Sequence, residues 1–171
     1  SRLVEFQTEN TPPRSVVFVL ATDASTNDTL PEGIGFWMQN RMTMQTYARF
    51  LHGDTLDRDK TAFIGFDAAG IDTLLAFSND RYLVSHPFPD STTAGAGDLA
   101  LAINSAMDFA AGNGAGEKIV IAIVNDANPM NAGDASALQL RAGREDVTLA
   151  IAALGPRGYA ALAPTAGVAG R

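Results

Sequence analysis

Apolar residues in this chain come in nearly unbroken runs, with polar residues gathered between them. Runs that are apolar throughout are typical of strands buried on both faces of a parallel sheet. Three such runs lie at residues 15–22, 118–125 and 147–154. Two shorter runs, 61–66 and 73–77, are separated by residues that favour a turn, which predicts an antiparallel hairpin.

Helical spacing of apolar residues appears between the strands. Apolar side chains recur at helical spacing from Ile34 to Leu51 and again from Leu99 to Ala110. A third, short helix is predicted at 135–140, whereas residues 82–96 are interpreted as irregular. The resulting order, β-α-β-β-α-β-α-β, predicts an α/β fold with a doubly wound, mainly parallel sheet. We expect helices on both faces of that sheet and one antiparallel edge strand.

The composition fits one domain of this kind. The chain has 171 residues, of which 46% are hydrophobic, enough for a single packed core. Residues 1–14 are interpreted as a polar lead-in and 15–171 as one domain, with the state of the Ala/Gly/Pro-rich tail 155–171 left open. Because the chain begins without an initiator Met, we interpret it as a trimmed domain.

Charge and cysteine content exclude several classes of function. Asp and Glu number 19 against 12 Lys and Arg, a net charge of −7, so nucleic acid and anionic membranes should repel the chain. No apolar stretch approaches the roughly 20 residues of a membrane-spanning helix. The absence of Cys excludes thiol catalysis and disulfides but leaves the compartment open.

Two carboxylates follow the first and fourth predicted strands. Asp23 ends the run at 15–22 and Asp126 follows the run at 118–125. In the usual strand order, 3-2-1-4-5, these strands are neighbours, and ligands bind where the strand order reverses. Two adjacent carboxylates repel each other, and no Lys, Arg or His is next to either in sequence. A hard divalent cation with oxygen ligands would relieve that repulsion.

Three segments at these positions resemble the von Willebrand factor A domain, also called the integrin I-type domain. They are Asp23-Ala24-Ser25-Thr26-Asn27, Ser91-Thr92-Thr93-Ala94-Gly95 and Val124-Asn125-Asp126-Ala127. The family builds a metal-ion-dependent adhesion site from Asp-x-Ser-x-Ser after strand one, a loop Thr, and an Asp closing strand four. The order and spacing of the elements match as well, from about residue 15 to 154.

The resemblance implies a metal site and a mode of binding. Its ligands would be Asp23, Ser25, Asn27, Asp126 and either Thr92 or Thr93. Asn27 stands where the family usually has a second Ser, and Ala127 stands where Gly is common. The implied cation is Mg²⁺, with Mn²⁺ or Ca²⁺ as substitutes, and a carboxylate from a partner protein would complete its coordination. A family member of this kind is a cell-adhesion module, which is compatible with a place at the cell surface in a larger chain.

Other interpretations of the same residues stay open at this stage. Thr92 and Thr93 could cap the helix that follows them. The segment from Thr93 to Asp98 is similar to the Gly-Ala-Gly-Asp signature of ribokinase-like kinases, where the Asp is the catalytic base, although the chain is much shorter than those kinases. Arg141 and Arg144 are expected on a solvated helix face.

The hypothesis that combines these observations is a binding module rather than an enzyme. The sequence has no Gly-x-Ser-x-Gly turn, and Ser25 stands where a phosphatase of the haloacid-dehalogenase type would need Asp. The first alternative is a metal-free structural or assembly domain of the same fold, which the departure at Asn27 would favour. The second is a phosphotransferase fragment of the ribokinase type.

Overall fold

The computed structural model describes residues 12–23, 58–85, 94–124 and 130–153. These ranges contain a five-stranded sheet and three helices. In chain order the elements are β1 (Arg14–Ala21), β2 (Lys60–Asp67), β3 (Gly70–Ser78), α1 (Arg81–Ser85), α2 (Leu99–Asn113), β4 (Glu117–Val124), α3 (Ala132–Arg144) and β5 (Val147–Ala153).

The order of strands across the sheet is β3-β2-β1-β4-β5. The pairs β1–β2, β1–β4 and β4–β5 are parallel, and β3 is antiparallel to β2 at one edge. The predicted α/β class, the strand order and the antiparallel hairpin are therefore confirmed. Because four strands run in the same direction, their carboxyl ends lie along one edge of the sheet.

Both faces of the central strands are buried, which explains why their apolar runs are unbroken. One face, with Val17 and Val19 of β1, packs against α2 and α3. The residues of α2 in this cluster are Leu99, Ala102, Ile103, Ala106, Met107 and Ala110. On the opposite face the rings of Phe18 and Phe63 stack with centroids 5.2 Å apart, and Val84 of α1 joins them.

The helix α1 corrects the interpretation of residues 82–96 as irregular. Asp80 precedes this one-turn helix, and its carboxylate accepts the N–H of Tyr82 at 2.8 Å while its carbonyl accepts the N–H of Val84 at 2.9 Å. Five residues are too few to show a helical period, so the apolar pattern could not reveal the element. Val84 is fully buried and ties the helix to the core.

The helix α3 is longer than the predicted 135–140. It begins after Asn131, whose side chain accepts the N–H of Asp134 at 2.8 Å and caps the helix. Glycines near both ends weaken the sequence signal for a helix. Packing of Leu138 and Ala142 against the sheet, together with the cap, sets its actual length.

The amino edge of the sheet is held by buried polar contacts. The Asp59 carboxylate, 2% exposed, accepts the backbone N–H of Arg14 at 2.9 Å and its guanidinium Nε and Nη2 at 2.9 and 2.6 Å. The hydroxyl of Ser15 donates to the carbonyl of Ala115 and accepts its N–H, both at 2.8 Å. These contacts join the starts of β1, β2 and β4. They therefore help to set the strand register, which aligns the carboxyl ends of the same strands.

Arg141 links α2 to α3 and is half-buried, so the expectation of a solvated position is wrong for this residue. Its guanidinium donates to Asn104 Oδ1 at 2.6 Å, to Glu145 Oε1 at 2.8 Å and to the Asp108 carboxylate. The pKa of Arg141 is raised, first by the hydrogen bond with Glu145 and then by that with Asp108. Arg144 is exposed, as predicted.

The hydroxyl of Thr61 in β2 gives a first testable consequence. It is fully buried and has no hydrogen-bond partner among the residues that the structure describes. A buried hydroxyl without a partner loses its hydration without compensation, so Thr61→Val should raise the free energy of unfolding by about 1 kcal/mol. Urea unfolding measures this change. Thr148→Val, at an exposed position of β5, is the control, and its free energy of unfolding should stay within about 0.5 kcal/mol of wild type. A loss of stability in Thr61→Val would contradict the view that the Thr61 hydroxyl is buried without a hydrogen-bond partner.

Candidate functional site

Asp23 lies at the carboxyl end of the central strand β1 and is 1% exposed. The preceding residue, Thr22, extends the contact of β1 with β2, since its N–H donates to the carbonyl of Phe66 at 2.9 Å. A buried carboxylate keeps its charge only when donors or a cation compensate for lost hydration. Asp23 is therefore a buried acidic group placed at the edge where parallel α/β sheets bind ligands.

The neighbouring strand β4 ends beside β1 at the same edge. Val19 of β1 pairs with Ala122 of β4, and β4 continues to Val124. Of the predicted ligands, Asp23 is the one within the described residues. The others lie outside them and remain predictions: Ser25, Asn27, Thr92, Thr93 and Asp126.

The segment before α2 lies at this edge as well. The carbonyl of Gly95 accepts the N–H of Ala68, in the β2–β3 turn, at 2.8 Å. Gly97 lies directly on the same turn: a Cβ at this position would be 2.5 Å from the carbonyl oxygen of Asp67. No side chain could take the place of this glycine without moving the segment away from the turn. The residues that follow Thr93 are therefore held beside the carboxyl end of β2.

Asp98 is the N-cap of α2, and its carboxylate accepts the N–H of Leu101 at 2.9 Å. The alternative in which Thr92 or Thr93 caps this helix is therefore wrong. The glycines and the Asp of the kinase-like signature each have a structural contact, namely with the β2–β3 turn or with the first turn of α2. These contacts account for Gly95, Gly97 and Asp98 without a phosphate ligand.

Searches by sequence give no relative, because no protein-family model and no curated protein match the chain. Solved structures do match it. The VWA domain of SpRpn10 superposes with a TM-score of 0.65 at 11% identity, covering 84% of this chain and 76% of that one. The chain has a von Willebrand factor A fold.

Two further solved structures also match the chain. Proximal thread matrix protein 1 from the mussel byssus, solved with a zinc-occupied MIDAS motif, gives a TM-score of 0.56 at 13% identity, covering 84% of this chain and 38% of that protein. The pilus adhesin SpaC from Lactobacillus rhamnosus GG gives 0.55 at 12% identity, covering 67% of this chain and 16% of the adhesin. The chain thus spans well under half of these two proteins. The predicted resemblance is confirmed at the level of the fold.

The residues that the structure describes contain no group of three or more His, Asp or Glu side chains that could hold a metal ion. The predicted donor set has two carboxylates, and the second of them, Asp126, lies outside those ranges. No helix in the described ranges is long and apolar enough to cross a membrane.

Sequence reasoning missed the contacts that Thr22, Asp67 and Gly97 make at this edge. The Thr22 hydroxyl donates to the carbonyl of Phe66 at 3.2 Å and lies 3.5 Å from Asp67 Oδ2. The available signal was the Gly-x-Gly-Asp segment directly before a helix. Two glycines there indicate a close backbone approach, and in the structure the group approached is a turn of the same chain.

Proposed function

We propose that this VWA domain is a non-catalytic protein-binding module that holds a divalent cation at the carboxyl edge of its sheet. The observation that carries the proposal is the buried carboxylate of Asp23 at the end of the central strand, beside β4. That carboxylate lies where the family resemblance puts the first metal ligand.

The strand register supports a partnership between Asp23 and Asp126. Val19 pairs with Ala122, and Asp23 and Asp126 are each four residues further along their segments. Residues at equivalent positions after neighbouring parallel strands emerge side by side at the sheet edge. We therefore expect one ion to be shared between the two carboxylates.

The chemistry of the donor set fits a hard cation. Carboxylate, hydroxyl and amide oxygens would come from Asp23, Ser25, Asn27, Asp126 and one of Thr92 and Thr93. Mg²⁺ prefers oxygen ligands, few carboxylates and some retained water, and Mn²⁺ or Ca²⁺ can use similar ligands. The zinc held by the MIDAS motif of the byssus protein supports a cation at this place in the fold.

The cation would allow the domain to bind an acidic partner. With a net charge of −7, the domain repels a carboxylate unless a positive charge lies between them. In the family's mode of binding the Asp residues act directly or through water, so few carboxylates would bind the ion directly and it would stay electrophilic enough to accept a carboxylate of the partner. The role of Asp23, Ser25 and Asn27 is then to hold and orient the ion, and the pilus adhesin among the similar structures supports a use in protein binding.

Peptide selection tests this function with a random library in place of a named partner. Peptides displayed on phage and selected against the domain in Mg²⁺ should be enriched in Asp or Glu and should dissociate in EDTA. Ser25→Ala should weaken their binding by about tenfold or more, because loss of even an outer-shell partner typically costs about 10- to 100-fold in metal affinity and Ser25 is proposed as a direct ligand.

Ser136→Ala is the matched control for this experiment. Ser136 is exposed on α3, where its hydroxyl donates to the carbonyl of Ala132, so the substitution should leave peptide affinity unchanged. Enrichment of peptides without acidic residues, bound equally well in EDTA, would overturn the proposal. That outcome would favour the metal-free assembly domain instead.

A further inference from the structure

We infer that the β2–β3 turn controls the cation site by holding two of its ligand segments in common. The contacts form a group, the Asp67 junction, made of Thr22, Asp67, Ala68, Gly95 and Gly97. The inference rests on the proposed function, since it concerns the regulation of that site. It assigns a positioning role to residues that are not themselves proposed ligands.

The first arm of the junction supports the end of β1. Thr22 is buried, its N–H and hydroxyl both donate to the carbonyl of Phe66 at 2.9 and 3.2 Å, and the hydroxyl also lies 3.5 Å from Asp67 Oδ2. Gly65 leaves room for this approach, because a Cβ there would be 2.8 Å from Thr22 Cγ2. Asp23 follows Thr22 directly, so the end of β2 sets the place of the Asp23 backbone.

The second arm supports the segment that comes from Thr93. The N–H of Ala68 donates to the carbonyl of Gly95 at 2.8 Å, and the backbone of Gly97 lies on the backbone of Asp67. The turn itself is closed by the carboxylate of Asp67, which accepts the N–H of Ala69 at 2.8 Å. One residue, Asp67, therefore contacts both segments and shapes the turn between them.

Because one turn supports both ligand segments, it should affect the affinity for the cation, and the cation should affect the motion of the turn. Metal sites require their ligands to stay within about 0.5 Å of the productive geometry, and loss of a supporting contact typically costs about 10- to 100-fold in affinity. A displacement of the turn would move both segments together. Because coupling between two sites is reciprocal, a bound cation should in turn stabilise the exposed β2–β3 turn.

The test uses glycine-to-alanine substitutions at three positions with different surroundings. Gly97→Ala places a Cβ against the Asp67 backbone and should therefore move the segment of Gly95 and Gly97 away from the β2–β3 turn. Gly116→Ala is the matched destabilising control at the opposite edge of the sheet, where φ is +68° and a Cβ would be 1.9 Å from the carbonyl oxygen of Pro13. Gly112→Ala, with no atom within 4 Å of its Cβ, is the neutral control.

Calorimetric titration with Mn²⁺ is the first readout. Gly97→Ala should weaken Mn²⁺ binding about 10- to 100-fold, whereas Gly116→Ala and Gly112→Ala should stay within about threefold of wild type. Thr22→Val, which removes the hydroxyl and keeps the shape, should weaken binding as well, and Thr22→Ser should restore it. These two variants decide the matter if Gly97→Ala does not fold.

Amide hydrogen exchange without any cation is the second readout. Gly97→Ala should accelerate exchange of the Ala68 and Thr22 amides about tenfold relative to Val120 of β4, and Gly116→Ala should not. If wild type binds Mn²⁺ and the two variants Gly97→Ala and Gly116→Ala lose Mn²⁺ affinity equally, the inference is overturned and the proposed function stays intact. Failure of wild type to bind Mn²⁺ would overturn both the inference and the proposed function. An unchanged exchange rate of the Thr22 amide in Gly97→Ala would overturn the Asp67 junction alone.

Discussion

Replacing Asp59 by Ala should lower the free energy of unfolding by about 3 kcal/mol, since removing one partner of a buried ion pair leaves the other uncompensated, at a cost of about 3 to 5 kcal/mol. The carboxylate of Asp59 is almost completely buried and receives three hydrogen bonds from Arg14, one from the backbone and two from the guanidinium. We expect the lower end of this range because the Arg14 side chain is 29% exposed and keeps some hydration.

Urea unfolding of the variant and of Asp72→Ala gives the comparison. Asp72 is exposed on β3, so its substitution changes the net charge equally and should alter stability by less than about 0.5 kcal/mol. Asp59→Asn should fall between the two, because its amide oxygen still accepts a hydrogen bond. A loss below about 1 kcal/mol in Asp59→Ala would show that the contact does not hold β1 and β2 together.

A divalent cation should raise the melting temperature of the wild-type domain, and Asp126→Ala should abolish this effect. An ion at a concentration of about 100 times its Kd stabilises the folded state by about 2.7 kcal/mol when it does not bind the unfolded chain. For a domain of this size that corresponds to a rise of about 5–10 °C. Relief of the repulsion between Asp23 and Asp126 contributes to the same gain.

Thermal unfolding followed by circular dichroism, in EDTA and in increasing Mg²⁺, measures the rise. Asp72→Ala is again the charge-matched control and should keep the full response. If Asp126→Ala responds to Mg²⁺ as strongly as wild type does, the ion binds elsewhere and Asp126 is not a ligand.

The strands and their order could be predicted because burial on both faces leaves a strong signal. The central strands are apolar at nearly every position, and the short hairpin connection defines the antiparallel edge. The usual doubly wound order then follows from connection rules rather than from particular residues. Most strand boundaries differed by about one residue, since Arg14 and Glu117 join the ladder through contacts with residues distant in sequence. The hairpin strand β3 begins three residues earlier than predicted, because residues 70–72 also pair with β2.

Long-range polar contacts could not be predicted from the sequence. Arg141 looks like a solvated helix residue because its partners on α2, Asn104 and Asp108, are distant in the chain. Asp59 lies among alternating charges that suggest an ordinary loop. Its partner becomes visible only after the parallel pairing of β1 and β2 places the starts of the two strands together.

At the candidate site, sequence patterns predict the position of one residue and miss the contacts of a neighbouring segment. The position of Asp23 follows from the strand pattern, because the strand ends where the apolar run ends. The role of the Gly95 to Asp98 segment does not follow, since a glycine that meets a phosphate and one that meets a backbone turn look the same in sequence. The close contact of Gly97 with Asp67 decides between them.

Isothermal titration of the cation-free domain with Mg²⁺ and Mn²⁺ tests the central claim most directly. Wild type should bind one ion per chain, and Asp23→Ala, verified as folded by circular dichroism, should bind none. The Asp72→Ala control should bind as wild type does. Absence of saturable binding in wild type, or unchanged binding in folded Asp23→Ala, would contradict a cation site at the carboxyl edge of this sheet.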